Sequence, residues 1–238
     1  MKRRKLSLRI FYHFIMFFAQ ALIYCAALEA APFQNGETIR FDIKNFGIKA
    51  GEATLVLNGP VQLGSRQVLL ITFTANALHF FDEEKIYVDP ATYYPIAVHR
   101  NLDLWGKKEK IVEEYDTQKG TVRIYKEANG KTSTMAIEKK GQLDNIYAFL
   151  YRYRQGGQFE VGENHMLNLP TVDIKIQLVK LASVKTSDDK EHLAYFLESN
   201  PSKYKIWFAQ TENRIPLRLD GSVGFGKTYL VLSSYQEN

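Results

Sequence analysis

What this 238-residue chain lacks narrows its chemistry first. Cysteine occurs once, at Cys25, within an apolar N-terminal run. A chain cleaved after that run carries no thiol nucleophile, no disulfide and no cysteine metal ligand, so its stability must come from core packing. Beyond that run the histidines, His79, His99, His165 and His192, are scattered, with no HExxH and no i, i+4 pair, and no metal is expected. No GxSxG elbow occurs, and no phosphate loop or dinucleotide fingerprint follows a strand, so no cofactor is expected either. Gly224-Phe225-Gly226-Lys227 is like a phosphate loop only superficially, because the segment after it alternates as a strand does.

Basic charge is scarce once its position is considered. The formal net charge is +5 and the pI about 9.1, but Lys2, Arg3, Arg4, Lys5 and Arg9 lie at the N-terminus with Glu29 behind them. Without the first 30 residues, 31 basic and 26 acidic residues become 26 and 25. A body so nearly neutral lacks the positive field that a phosphate backbone requires, and nucleic acid is excluded as a partner.

Residues 1–31, MKRRKLSLRIFYHFIMFFAQALIYCAALEAA, run from a basic segment through an apolar one to small residues, the order of a secretory signal peptide. Cleavage is expected after Ala27 or Ala30. The division is therefore a signal peptide over 1–30 and a single exported β-rich domain over 31–238, periplasmic or associated with the outer envelope. The alternative is an uncleaved N-terminal anchor, which His13 and Gln20 disfavour by interrupting a short run. Lipid attachment at Cys25 is disfavoured because Tyr24, not a small residue, precedes it.

The body is mainly β. In GETIRFDIKNFGIKAGEATLVL, from Gly36 to Leu57, Ile39, Phe41 and Ile43 alternate with Arg40, Asp42 and Lys44, and Ala53, Leu55 and Leu57 repeat the pattern after a Gly-marked turn. Asn58-Gly59-Pro60 reads as the next turn and Gln67 to Ala77 as a buried strand. A meander of four strands is expected from Ile96 to Lys139, with a hairpin turn at Asn129-Gly130. Residues 143–154, LDNIYAFLYRYR, supply one helix: Ile146, Phe149, Leu150 and Tyr153 form a stripe that can face a sheet, Asp144 is the expected N-cap, and Gly156-Gly157 ends it. Strands resume through IPLRLDGSV and KTYLVLSS. By strict count this is α+β, a largely antiparallel sheet with one packed helix.

Four stretches in order, GETIRFDIKNFGIKAGEATL, YVDPATYYP, DNIYAFLYRYRQGG and YKIWFAQTENRIPLRLDG, resemble the bacterial exported family catalogued as Domain of Unknown Function 3108, from about residue 36 to 235. The resemblance implies an envelope protein with a curved sheet or half-barrel in the style of the periplasmic lipoprotein carriers, and brings no established activity. The positions that carry it are Gly36, Glu37, Gly51, Asp89, Pro95, Asp144, Trp207, Arg214 and Pro216.

Catalytic signatures are missing, and the chain is read as noncatalytic. Asp82-Glu83-Glu84 and Glu113-Glu114 are read as charges on a solvated rim, since neighbouring carboxylates on a strand point to opposite faces. The large rings Phe80, Phe81, Tyr93, Tyr94, Trp105, Tyr147, Tyr151 and Trp207 can fill the core or line a cavity closed by the helix. If they line one, a lipid or other apolar or amphipathic ligand is the expected partner. The alternative is an assembly module that docks another envelope protein by a strand edge or aromatic patch. A glycan hydrolase ranks last and would need two carboxylates facing each other in a cleft.

Overall fold

Alternation along the chain becomes one antiparallel sheet in a computed structural model that describes residues 31–223 and 228–237. The expected signal peptide with Cys25, and the turn read at Gly224 to Gly226, lie outside the described residues. The strands are β1 (Thr38–Asn45), β2 (Ile48–Leu63), β3 (Arg66–Ala77), β4 (Phe80–Val88), β5 (Pro95–Leu104), β6 (Lys107–Asp116), β7 (Thr121–Ala128) and β8 (Lys131–Glu138). After α1 (Ile146–Gly156) come β9 (Asn164–Leu169), β10 (Val172–Lys185), β11 (Glu191–Asn200), β12 (Lys205–Ala209), β13 (Pro216–Asp220) and β14 (Thr228–Gln236). They pair in the order β8-β7-β6-β5-β4-β3-β2-β1-β14-β13-β12-β11-β10-β9. Two up-and-down meanders thus meet where β1 pairs with β14.

The sheet is open between β8 and β9, and the chain after β8 laces across that gap. Lys139 Nζ donates to the Leu169 carbonyl at 2.6 Å and pairs with Asp173 at 2.7 Å, while Asp144 N–H donates to the Asn168 carbonyl at 2.9 Å. The fold is mainly β with one helix among the described residues, an antiparallel half-barrel as the sequence implies.

One turn reading is corrected. Asn58-Gly59-Pro60 does not reverse the chain, because β2 runs through it with a bulge between Leu57 and Gly59. Asn58 is the extra residue, and its Oδ1 accepts from the Thr72 hydroxyl at 2.7 Å. Ladder bonds on both sides override the local turn signal. The reversal comes instead at Gly64-Ser65, between β2 and β3.

The helix is likewise placed differently from a lid with one buried stripe. Ile146 to Tyr151 are all buried, as are Tyr153 and Arg154, which requires protein on every side of α1. Tyr147 stacks on Phe73 of β3 with ring centroids 4.0 Å apart, and Tyr153 packs at 5.5 Å from Phe208 of β12. The helix therefore lies inside the half-barrel, where its rings form the core.

Its polar ends are satisfied by specific partners. At the C-terminal end, Arg154 Nη1 and Nη2 each donate to Glu37 at 2.6 Å, and Nε and Nη2 donate to the Asn213 carbonyl at 3.1 and 3.0 Å. Both charged side chains are almost wholly excluded from solvent. At the N-terminal end the cap is Asn145 rather than the expected Asp144: Asn145 Oδ1 accepts from the N–H groups of Tyr147 and Ala148 at 2.9 and 3.3 Å. Asp144, one residue too early to reach them, forms a two-bonded ion pair with Arg152.

These contacts give two expectations, both read by urea or thermal unfolding. Asn145→Ala should cost about 1 kcal/mol through the lost cap, and Asp144→Asn, silent if Asp144 were the cap, should cost about 2 kcal/mol through the lost bonds to Arg152. Arg154→Ala strands Glu37 in the core and should cost about 3–5 kcal/mol. Arg154→Lys should recover only part of this, because an ammonium cannot fork onto both carboxylate oxygens and the Asn213 carbonyl together.

Candidate functional site

Strand β4 explains where polar chemistry enters the lumen. Its residues alternate strictly, with Phe80, Asp82, Glu84, Ile86 and Val88 buried and Glu83, Lys85 and Tyr87 more exposed. Asp82 and Glu84 therefore share the face of the apolar core, which corrects the solvated-rim reading for both. Glu83 keeps the outer position and pairs with Lys85 at 3.5 Å. The register sets Glu84 opposite Arg100 of β5, and Val98 of β5 opposite Glu113 of β6. Two ladder steps thus bring Glu84, Arg100 and Glu113 to one region of the inner face.

That region borders a pocket of about 330 Å³, within the range of small-ligand sites. Its sheet wall carries Glu84, Arg100, Glu113 and Tyr115, and its helix wall carries Asn145 and Tyr147. Turns close it: Pro170 and Thr171 between β9 and β10, Lys203 and Tyr204 before β12, and Gly221 and Ser222 after β13. Tyr147 ties wall to turn by donating its hydroxyl to the Ser222 carbonyl at 3.2 Å. The Ser222 hydroxyl is buried there without a hydrogen-bond partner.

Charge in the pocket is unevenly compensated. Arg100 commits its fork to Asp82, with Nε and Nη2 donating at 2.8 and 2.6 Å, and reaches Glu84 only at 3.4 Å. Burial, followed by the like charges of Asp82 and Glu113 and opposed by Arg100, pushes the Glu84 carboxyl up to about 7. Asn145 Nδ2 donates to Glu84 at 3.4 Å, so the helix cap also holds this carboxyl. Burial likewise raises the Glu113 carboxyl, against a hydrogen bond donated by the Tyr115 hydroxyl. Among the described residues, no group of three or more His, Cys, Asp or Glu could hold a metal ion.

The eight aromatic candidates do not converge on this pocket; Tyr147 alone lines it. Tyr93 and Tyr151 are buried edge-on against Phe33 at 5.7 and 5.1 Å. Phe80 is buried at the start of β4, while Phe81 on the other face is partly exposed. Tyr94 lies under the Arg152 guanidinium at 4.1 Å. Trp207 sits between Phe196 at 4.7 Å and Arg218 at 4.9 Å, and Trp105 stacks on His79 at a hairpin tip, 4.5 Å away.

The positions that carry the family resemblance are mostly structural. Glu37 grips Arg154, Asp144 grips Arg152, and Arg214 donates to the Gly157 carbonyl at 3.2 Å beyond the helix. Gly36 N–H donates to the Leu57 carbonyl at 2.6 Å, and Asp89 Oδ1 accepts from the N–H groups of Ala91 and Thr92 at 3.0 Å. Pro95 and Pro216 open β5 and β13. Gly51 sits in β2, where a Cβ would run into the Asn76 carbonyl.

Fold and site together define a half-barrel with a helix in its lumen and a polar pocket beside the helix N-terminus. The chain belongs to the family described as "Protein of unknown function (DUF3108)", which matches residues 38–233. Among solved structures it is similar to a crystal structure titled as a beta-barrel-like protein of domain of unknown function DUF1849 from Brucella abortus. The TM-score is 0.50 at 9% identity, over 87% of this chain and 99% of that one. A likeness at that identity concerns the fold alone. No curated protein matches the chain.

The raised Glu84 carboxyl has a measurable consequence. The unfolded chain binds this proton with a pKa of about 4.3, so the folded state binds it more tightly. The stability it contributes is complete below about pH 4.3 and is lost as pH rises through about 7. The stability of wild type minus that of Glu84→Gln should fall across this window by a few kcal/mol and level off above it. Unfolding curves at pH 4, 5.5, 7 and 8 test this, and a flat difference would show that Glu84 titrates normally.

Proposed function

We propose that this is a noncatalytic protein of the cell envelope that holds an amphipathic ligand, with the ligand's polar group in the pocket beside the helix N-terminus. One observation carries the reading: a site of about 330 Å³ inside the half-barrel presents Glu84, Arg100 and Glu113 to a ligand-sized space. The enclosed helix and its rings fill the neighbouring lumen, which favours an amphipathic over a wholly apolar occupant. An amino or hydroxyl group suits the carboxyls, and Tyr115, Tyr147 and Tyr204 offer ring surface beside them. The signal-peptide order of residues 1–31 supports export.

A second reading, glycan hydrolysis, is favoured by Glu84 and Glu113 bordering one pocket. Acid–base catalysis divides labour between a protonated and an ionised carboxyl, whereas burial pushes both of these upward. We therefore rank binding first.

The test is native mass spectrometry of protein purified from its own envelope. Wild type should carry a small molecule that is lost from a Glu84→Gln, Glu113→Gln double variant of unchanged fold. Loss of the bound mass below about pH 7, absent in Glu84→Gln, would assign it to an amine. Wild-type protein without any bound molecule would move the partner-docking reading to first place, and a bound mass that turns over with time would favour the hydrolase.

A further inference from the structure

The hairpin tips at one edge of the sheet break the usual rule for tight turns. The β1–β2, β3–β4 and β5–β6 connections lie on the same edge because consecutive strands are antiparallel, about 10 Å apart from one hairpin to the next. They expose Phe46 (77%), Ile48 (75%), Leu78 (78%) and Trp105 (61%). Phe46, His79 and Trp105 take positive φ values of 48°, 59° and 56°. A bulky side chain is unfavourable in that region, and a two-residue turn ordinarily places Asn or Gly there. The same edge shows the ordinary choice at Asn129-Gly130, between β7 and β8. At the two tips that flank the β3–β4 hairpin, Phe46-Gly47 and Trp105-Gly106, an aromatic ring stands where Asn does the job more easily.

The tips are also braced and charged. Trp105 N–H donates to the His79 carbonyl at 2.8 Å, Gly106 N–H donates to Asp103 Oδ1 at 2.8 Å, and the His79 and Trp105 rings stack. Two hairpins are thereby tied together, with these amides satisfied from within the protein. Within the segments 44–49, 77–81 and 103–108 stand four lysines, Lys44, Lys49, Lys107 and Lys108, against Asp103 as the one acid. Lys49 is spent on Asp42 at 2.8 Å and Glu52 at 2.7 Å; Lys107 and Lys108 are exposed.

We propose that this edge docks on the surface of an anionic phospholipid bilayer, with Phe46, Ile48, Leu78 and Trp105 entering the interface and Lys44, Lys107 and Lys108 meeting headgroup phosphates. Spaced apolar side chains, with an indole among them and lysines two or three residues from Phe46 and Trp105, match the layering of a bilayer interface. A flat protein partner would instead be met by a contiguous patch. The inference does not depend on the ligand proposed for the pocket.

Trp105 and Trp207 are the only tryptophans, so a Trp207→Phe variant of the full chain makes Trp105 the sole reporter. Vesicles of phosphatidylglycerol and phosphatidylcholine should shift its emission to the blue, and lipid brominated high in the acyl chain should quench it. High salt should weaken the response, and vesicles of phosphatidylcholine alone should give little. Replacing Lys44, Lys107 and Lys108 by Gln should weaken the response by more than about tenfold at low salt, and Phe46→Ser with Leu78→Ser should reduce it further. If N-terminal residues alone hold the chain on the vesicle, it will float with the lipid while Trp105 stays unshifted and unquenched, which overturns the proposal. A blue shift that grows with protein concentration without lipid would overturn it in favour of a second copy of the chain.

Discussion

The Arg154–Glu37 pair is the constraint on which the rest of this structure turns. It joins residues 117 apart in sequence, linking the last turn of α1 to the residue before β1, where the two meanders meet. Burying two charges is costly, and their attraction offsets the cost only when the remaining hydrogen-bonding capacity is also used. Here it is: the guanidinium reaches both carboxylate oxygens and the Asn213 carbonyl, the Phe33 ring lies 4.7 Å away, and the Tyr235 hydroxyl donates to Glu37 at 2.9 Å. A helix that is apolar on nearly every face could slide or rotate within a lumen, since one hydrophobic contact replaces another. An ion pair with fixed geometry at one end, and Asn145 and Asp144 at the other, leaves a single placement.

That placement divides the lumen. Rings of α1 occupy the space in front of β3 and β12, and the same helix leaves its N-terminal end facing Glu84, Arg100 and Glu113. Uncovered inner face has to be polar to tolerate water, which accounts for charged residues on the core side of β4, β5 and β6 when most of that side is aliphatic or aromatic. Arg100 can compensate only one of the carboxyls beside it fully, and it takes Asp82. The partial compensation of Glu84 and Glu113 is thus a result of where the helix stops.

Most strands were legible because a half-buried sheet imposes a period of two, and Ile39, Phe41 and Ile43 announce it without help from distant residues; the pairing of β1 with β14 was not, since period says nothing of distant partners. Asn58-Gly59-Pro60 misled because turn propensity is local while a bulge is decided by the strands on either side. The helix was legible as a helix, but its destination was not, since burial on every face depends on partners remote in the chain, Phe33, Phe73 and Phe208 among them. Its cap was misplaced by one residue because Asp and Asn are equally good caps and only the Asp144–Arg152 pair separates their roles. The site was hidden for two reasons. Glu84 and Glu113 meet only through two ladder steps across β5, and carboxylates next to solvated neighbours look like surface charge. A signal for Glu84 did exist: Phe80, Asp82, Glu84, Ile86 and Val88 share one parity, and reading that row as a unit would have turned both acids inward.

The turns that close the pocket belong to the same edge of the sheet as the apolar hairpin tips. Thr228 pairs with Asn45, so the end of β1 that leads to Phe46 is also the start of β14. The chain arrives there from the β13–β14 connection, where Ser222 lines the pocket. The pocket's other turns, β9–β10 and β11–β12, belong to this edge by the same alternation of strands. A bilayer met by Phe46, Leu78 and Trp105 would therefore stand on the side from which the pocket is closed by turns rather than by strands. An amphipathic molecule leaving such an interface would pass from headgroup water to a site where carboxyls replace that water for its polar group.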